Sequence, residues 1–419
     1  MSWSPPARPD WVAAANRGEV WPIAEEAGAP LELEPLLDEA RARMGVTGAG
    51  LDAFGTPDFL EPLERWLDAL GTEAELTVVG RWMTRQFLVR LLCGRVHLAG
   101  LVAHDPAVLD ERIDEPLVVT GAPRTGTTIT HALLAQDPAH RAPLGWELLW
   151  PVPSPEPSTA SDDPRIALAD RELRLLAVVS SDLDAIHEYT GRMTKECLSA
   201  MSFAFRSEEF VSRYDVPTFA AWLFSCDMGP AYDAHRLVLQ VLQRRWPRRR
   251  WTLKSPVHLH SLPTLLDHYP DARIVVTHRD PLSVLGSVTS LIATLRWAHS
   301  DHVDYAGIAR AHAELYHADL DGLVTACADG TLDPRRVHHV RYADFMASPV
   351  AAMRGVYDAF GWELTPAAEE RMREYLQRRP QGMHGPHVYA FEDLGLDRAE
   401  QRARFARYQA AFDVPDEVL

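Results

Sequence analysis

Two glycines, a Pro-Arg pair and twin threonines carry the first chemistry in the chain, in the run Gly121-Ala122-Pro123-Arg124-Thr125-Gly126-Thr127-Thr128. Their spacing, G-x-x-x-x-G, suits a loop whose backbone N–H groups wrap a phosphate while the next helix N-terminus adds partial positive charge. A nucleoside-triphosphate enzyme continues with Lys, for the β- and γ-phosphates, and then Ser or Thr for Mg²⁺. Here Thr127 occupies the Lys position and the cation is Arg124, inside the loop. The cradle is kept and the triphosphate grip is lost, which implies a nucleotide that presents some phosphate other than a γ-phosphate. A second group of residues is Lys254, Arg279 and, eight residues further on, Ser287. An Arg fork and a Ser hydroxyl can donate together to one phosphate. A third candidate is Glu147, a lone carboxylate in Gly145-Trp-Glu-Leu-Leu-Trp150. Its apolar neighbours would desolvate it, as a general base requires. His187, Glu188 and Glu196 are further ionisable candidates in the stretch that follows.

These residues need elements to position them. The apolar and β-branched residues 117–120 read as a buried parallel strand, and Thr127 opens a helix with Ile129, Ala132 and Leu133 at helical spacing. Residues 251–254 read as a strand, 258–269 as a helix and 273–277 as a strand. This βαβ unit crosses over right-handed in a parallel sheet, so Lys254 and Arg279 emerge at the carboxyl edge, where open α/β sheets bind ligands. A helix over 282–292 carries Ser287, and 337–342 is a further strand. The expected fold is α/β, a P-loop NTPase-like, mainly parallel sheet flanked by helices. Residues 1–110 form a helical N-terminal region packed on the core. The core spans 111–350 and contains a helical insertion, 165–245, acting as lid or acceptor wall. Residues 351–419 form a C-terminal helical region and loop. The basic run 244–251 reads as a solvated loop in an acidic chain.

The loop Gly-Ala-Pro-Arg-Thr-Gly-Thr-Thr resembles the 5′-phosphosulfate loop of sulfotransferases that use 3′-phosphoadenosine 5′-phosphosulfate (PAPS). Arg279 and Ser287, after a strand and downstream of that loop, are similar to the same family's 3′-phosphate motif. The segment 47–55 resembles the N-terminal region of bacterial sulfotransferase-like proteins. The resemblance to tyrosylprotein and carbohydrate sulfotransferases implies that Glu147 is the catalytic base and that Lys254 assists sulfuryl transfer. Ser255 stands where that family has Asp. The loop 378–387 is similar to one that closes over the 3′-phosphate. The resemblance implies transfer of a sulfuryl group from PAPS, with PAP as product, to a hydroxyl or amine of a small-molecule acceptor. Gly121 to Thr128 would hold the 5′-phosphosulfate and Arg279 and Ser287 the 3′-phosphate. Arg124, Lys254 and Glu147 would act in catalysis, with no metal.

Composition limits the alternatives. A net charge of -17 over 419 residues opposes nucleic-acid binding, which needs a basic face. Cys93, Cys197, Cys226 and Cys327 are scattered, with neither zinc-site nor disulfide spacing, which suits a reducing cytoplasm. Neither a signal peptide nor a membrane-spanning stretch is expected. The rival readings are a nucleotide kinase or ATPase on the same fold, which predicts the missing Lys, and a non-catalytic nucleotide-binding protein.

Overall fold

A computed structural model describes residues 3–180, 190–379 and 390–417. Five parallel strands form one sheet: β1 (Leu117–Thr120), β2 (His140–Arg141), β3 (Arg250–Lys254), β4 (Arg273–His278) and β5 (Val337–Arg341), in the order β2-β3-β1-β4-β5. β1 is central, with Val119 opposite Lys254 on one side and Thr120 opposite Val276 on the other. Alternate side chains of a strand face opposite ways. Val118 accordingly joins one apolar cluster while Leu117 and Val119 join another. Both faces of the sheet are covered, which is why β1 reads as a continuous apolar run.

One face carries the helix Val78–His104, the helices Glu208–Arg213, Pro217–Leu223 and Gly229–Gln243, and the helices Pro281–Trp297 and Tyr305–Ala328. The other carries Thr127–Leu134, Pro349–Phe360 and Pro366–Arg378. The insertion is helical as expected, with Arg165–Val179, Glu208–Arg213, Pro217–Leu223 and Gly229–Gln243 its longest described segments. Val78–His104 is long and apolar enough to cross a bilayer by length and composition. Its apolar residues are instead core, and its Arg90 and Arg95 are buried with partners, Glu172 at 2.8 Å and the Phe203 carbonyl at 2.7 Å.

The run 244–251 is more tied down than a solvated loop. Arg244 pairs with Asp105 and Glu111, and Trp251 is buried in β3.

Candidate active site

The loop after β1 is shaped by three residues with positive φ. Gly121 (φ 139°) lies so close to β4 that a Cβ would sit 2.5 Å from the Thr277 carbonyl oxygen, so no other residue fits. Arg124 is left-handed at φ 67°, and Gly126 (φ 93°) delivers the chain into the helix Thr127–Leu134. Such strain in a non-glycine residue costs of order 1–3 kcal/mol and persists only where its surroundings impose it. Here they do. Thr125 Oγ1 donates to the Ala122 carbonyl (2.7 Å) and meets Thr277 Oγ1 at the end of β4. The Arg124 carbonyl accepts from Arg279 Nη1 at 2.9 Å, and Arg124 Nε donates to Ser287 Oγ at 2.9 Å. The loop cation and the predicted phosphate pair, more than 150 residues apart in sequence, therefore form one cluster.

The fork of Arg279 grips a carboxylate. Its Nε lies 2.8 Å and its Nη2 2.7 Å from the two oxygens of Glu417, and Ser283 Oγ donates to the same carboxylate at 2.9 Å. Asp280 locks this arrangement. Its carboxylate accepts from the Leu282 and Glu417 backbone N–H groups (3.0 and 2.7 Å) and pairs with Arg402 at 2.6 Å. Arg279 also stacks over the Tyr342 ring, 4.2 Å from its centroid.

Lys254 ends β3, 2% exposed. Its Nζ donates to Thr128 Oγ1 at 3.2 Å and is bonded to the Glu196 carboxylate. The Cys197 N–H donates to the Lys254 carbonyl at 3.0 Å, so backbone as well as side chains fastens Glu196 to the sheet edge. Ser255 occupies the position in doubt. Its carbonyl accepts from Thr120 Oγ1 at 3.0 Å, while its own Oγ is buried without a hydrogen-bond partner among the described residues. His131, on the loop helix, is neutral: burial, then the nearby Lys254 charge, push its imidazole down to about 3.

Glu147 is where the structure departs from the sequence reading. It is 2% exposed, accepts from Arg141 Nη2 at 2.6 Å and from the Leu144 N–H at 2.9 Å, and so caps the five-residue helix Gly145–Leu149. Arg141 itself lies between the Trp246 and Trp251 rings, 4.2 and 4.6 Å from their centroids. Glu147 is buried in an internal ion pair with Arg141. Glu147, expected as the base, thus has its described partners inside the fold and away from the cavity wall.

Above the loop lies a cavity of about 2080 Å³. Pro123, Arg124, Gly126, Thr127, Thr128 and Arg279 line one part of it, and Glu196 lies on its wall. One long side is a stripe of Val78–His104, with Trp82, Met83, Gln86, Phe87, Arg90 and Cys93 recurring at helical spacing. The insertion adds Leu173, Leu176, Ala220 and Phe224. Lys195, also on the wall, has its ammonium pushed down to about 8 by burial, against the pull of Glu209. Neither Glu147 nor Lys254 lines the cavity: Lys254 lies behind Glu196 and Thr128. His187 and Glu188, and the loop 378–387 from residue 380 onward, fall outside the described residues. Sequence reasoning missed Glu417, whose partners are more than 130 residues away and leave no local pattern.

A parallel sheet with a phosphate-type loop on its central strand, and an Arg–Ser pair from the neighbouring strand and helix beside it, suits an enzyme that transfers an anionic group. The family model described as "Sulfotransferase family" matches residues 116–366, more than half of the chain, and the protein belongs to that family. The fold agrees with solved mycobacterial sulfotransferases. STF9 from Mycobacterium avium is 27% identical with a TM-score of 0.80, covering 93% of this chain and 98% of its own. STF1 from Mycobacterium tuberculosis is 29% identical with a TM-score of 0.77, covering 90% and 98%. The omega-hydroxy-beta-dihydromenaquinone-9 sulfotransferase Stf3 of M. bovis and of M. tuberculosis is 26% identical over 273 residues, 63% of this chain and 67% of that protein. The protein is a sulfotransferase that uses a sulfonate donor.

Proposed function

We propose that the donor is PAPS and that the acceptor is a sizeable, largely apolar small molecule bearing a hydroxyl or amine. The observation that carries the donor reading is the anion already seated on Arg279. The fork and a helical hydroxyl hold the Glu417 carboxylate, beside a loop that carries its own Arg124. A group of this kind accepts a phosphate by the same charge-assisted bonds. Arg279 and Ser287 would hold the 3′-phosphate, and Arg124, the loop from Gly121 to Gly126 and the Thr127 and Thr128 hydroxyls the 5′-phosphosulfate. Lys254, bonded to Thr128, would neutralise charge that develops on the bridging oxygen. The protein's work is positioning and electrostatics, as in phosphoryl transfer.

The acceptor reading rests on the size of the cavity and the apolar residues lining it. The likeness to Stf3, named for a hydroxylated menaquinone, supports it.

Thermal unfolding with PAP, adenosine 5′-phosphosulfate and MgATP tests the donor. PAP raises the unfolding midpoint most, because a ligand that binds only the folded state stabilises it. Strong stabilisation by MgATP with none by PAP would overturn the reading.

A further inference from the structure

The sulfuryl acceptor must lose a proton as it attacks, and the group that takes it has to reach the acceptor oxygen beside the loop. Seven described carboxylates line the cavity wall, and each can be weighed by its partner. Asp304 pairs with Arg310 and Glu314 with Arg404. Glu172 pairs with Arg90, Glu209 with Arg213, Asp215 with Arg296, and Glu208 with His260. None of those partners belongs to the phosphate loop or to the strand ends. Glu196 differs. It is bonded to Lys254, whose Nζ donates to Thr128 on the loop helix, and it is part-exposed at 19% on the cavity side. His299 and His312 also line the cavity, but each spends Nδ1 on a carbonyl of its own helical segment.

Resting on the donor reading above, we propose that Glu196, not Glu147, is the catalytic base. The Glu196 carboxylate takes the proton of the acceptor hydroxyl as that oxygen forms its bond to sulfur. The bond from sulfur to the bridging oxygen breaks, and its electron pair leaves with PAP. Lys254 couples the two ends. It loses an anionic partner when Glu196 is protonated and gains one as charge develops on the departing oxygen. The ion pair seen here is the state before transfer, and proton uptake by Glu196 is what turns Lys254 toward the leaving group.

The test measures transfer of labelled sulfate from PAPS to two probe acceptors, 1-decanol and 4-nitrophenol, in the full chain. Glu196→Gln should keep PAP affinity within about twofold and slow transfer to 1-decanol by roughly 10²–10⁴-fold. It should slow transfer to 4-nitrophenol far less, because that acidic hydroxyl scarcely needs a base. Equal losses with both acceptors would mean a structural role for Glu196 and overturn the proposal. So would near wild-type transfer to 1-decanol, or the graded pattern appearing in Glu147→Gln instead. A wild-type chain that does not bind PAP overturns the donor reading rather than the choice of base.

Discussion

Two acidic residues, Glu147 and Glu196, lie 49 positions apart, each bonded to a cation. Around Glu147 the cation is Arg141, clamped between Trp246 and Trp251, and the carboxylate caps its own short helix. Glu147 accepts from Arg141 and from the Leu144 N–H, both inside the fold. Around Glu196 the cation is Lys254, which also reaches the phosphate-loop helix, and the carboxylate faces the cavity. Aromatic, apolar neighbours in sequence thus mark burial, whereas the partner of the paired cation marks the site. The Glu147 pair is enclosed in the fold, whereas the Glu196 pair keeps its carboxylate part-exposed at the cavity.

The contrast can be broken at either end. The largest stability effect is expected for Glu147→Gln, which strands the buried Arg141 charge. Removing one partner of such a pair costs about 3–5 kcal/mol, so urea unfolding should show a large loss while the folded variant keeps its PAP affinity. Unchanged stability with a loss of transfer would return Glu147 to the role of base. Next is Arg279→Ala. Loss of a charge-assisted contact costs about 1.5–3 kcal/mol, roughly ten- to a hundredfold in PAP affinity. Adenosine 5′-phosphosulfate, which lacks the 3′-phosphate, should be little affected when titrated calorimetrically. Equal losses for both ligands would show that Arg279 holds another group. The smallest effect sharpens the same edge. Glu417 shares the fork of Arg279 in a part-exposed ion pair, worth about 0–1 kcal/mol. Glu417→Gln should therefore raise PAP affinity by roughly two- to fivefold, without changing that of adenosine 5′-phosphosulfate. Weaker PAP binding in that variant would mean that Glu417 holds the fork in place for the ligand.

Much of the donor edge was legible because its signals are local. The strand 117–120, the glycine loop and the helix from Thr127 are contiguous, and a Gly at position 121 is dictated by the approach of Thr277. The strands before Lys254 and Arg279 fall where their apolar runs end, to within a residue or two. β2 was not legible, since two residues, His140 and Arg141, carry no periodicity. The full length of the helix Val78–His104 was not legible either, because buried Arg90 and Arg95 interrupt its apolar pattern while their partners keep them inside. The surroundings of Glu147 were hidden for a related reason. Distance along the chain located Glu147, but only folding reveals that Arg141 claims it. The bond from Glu196 to Lys254 joins residues 58 apart, a separation that no window of sequence displays.

One long side of the cavity is a single stretch of helix, Val78–His104, which precedes the phosphate loop in the chain. Trp82, Gln86, Phe87 and Cys93 line the cavity from a rod that is also packed into the core. Evolution can therefore vary what this enzyme accepts by exchanging residues along one stripe, a turn at a time, with the donor machinery inherited intact. Divergence among relatives of this fold would then be written most densely on that stripe, and a change of diet need not be a change of chemistry.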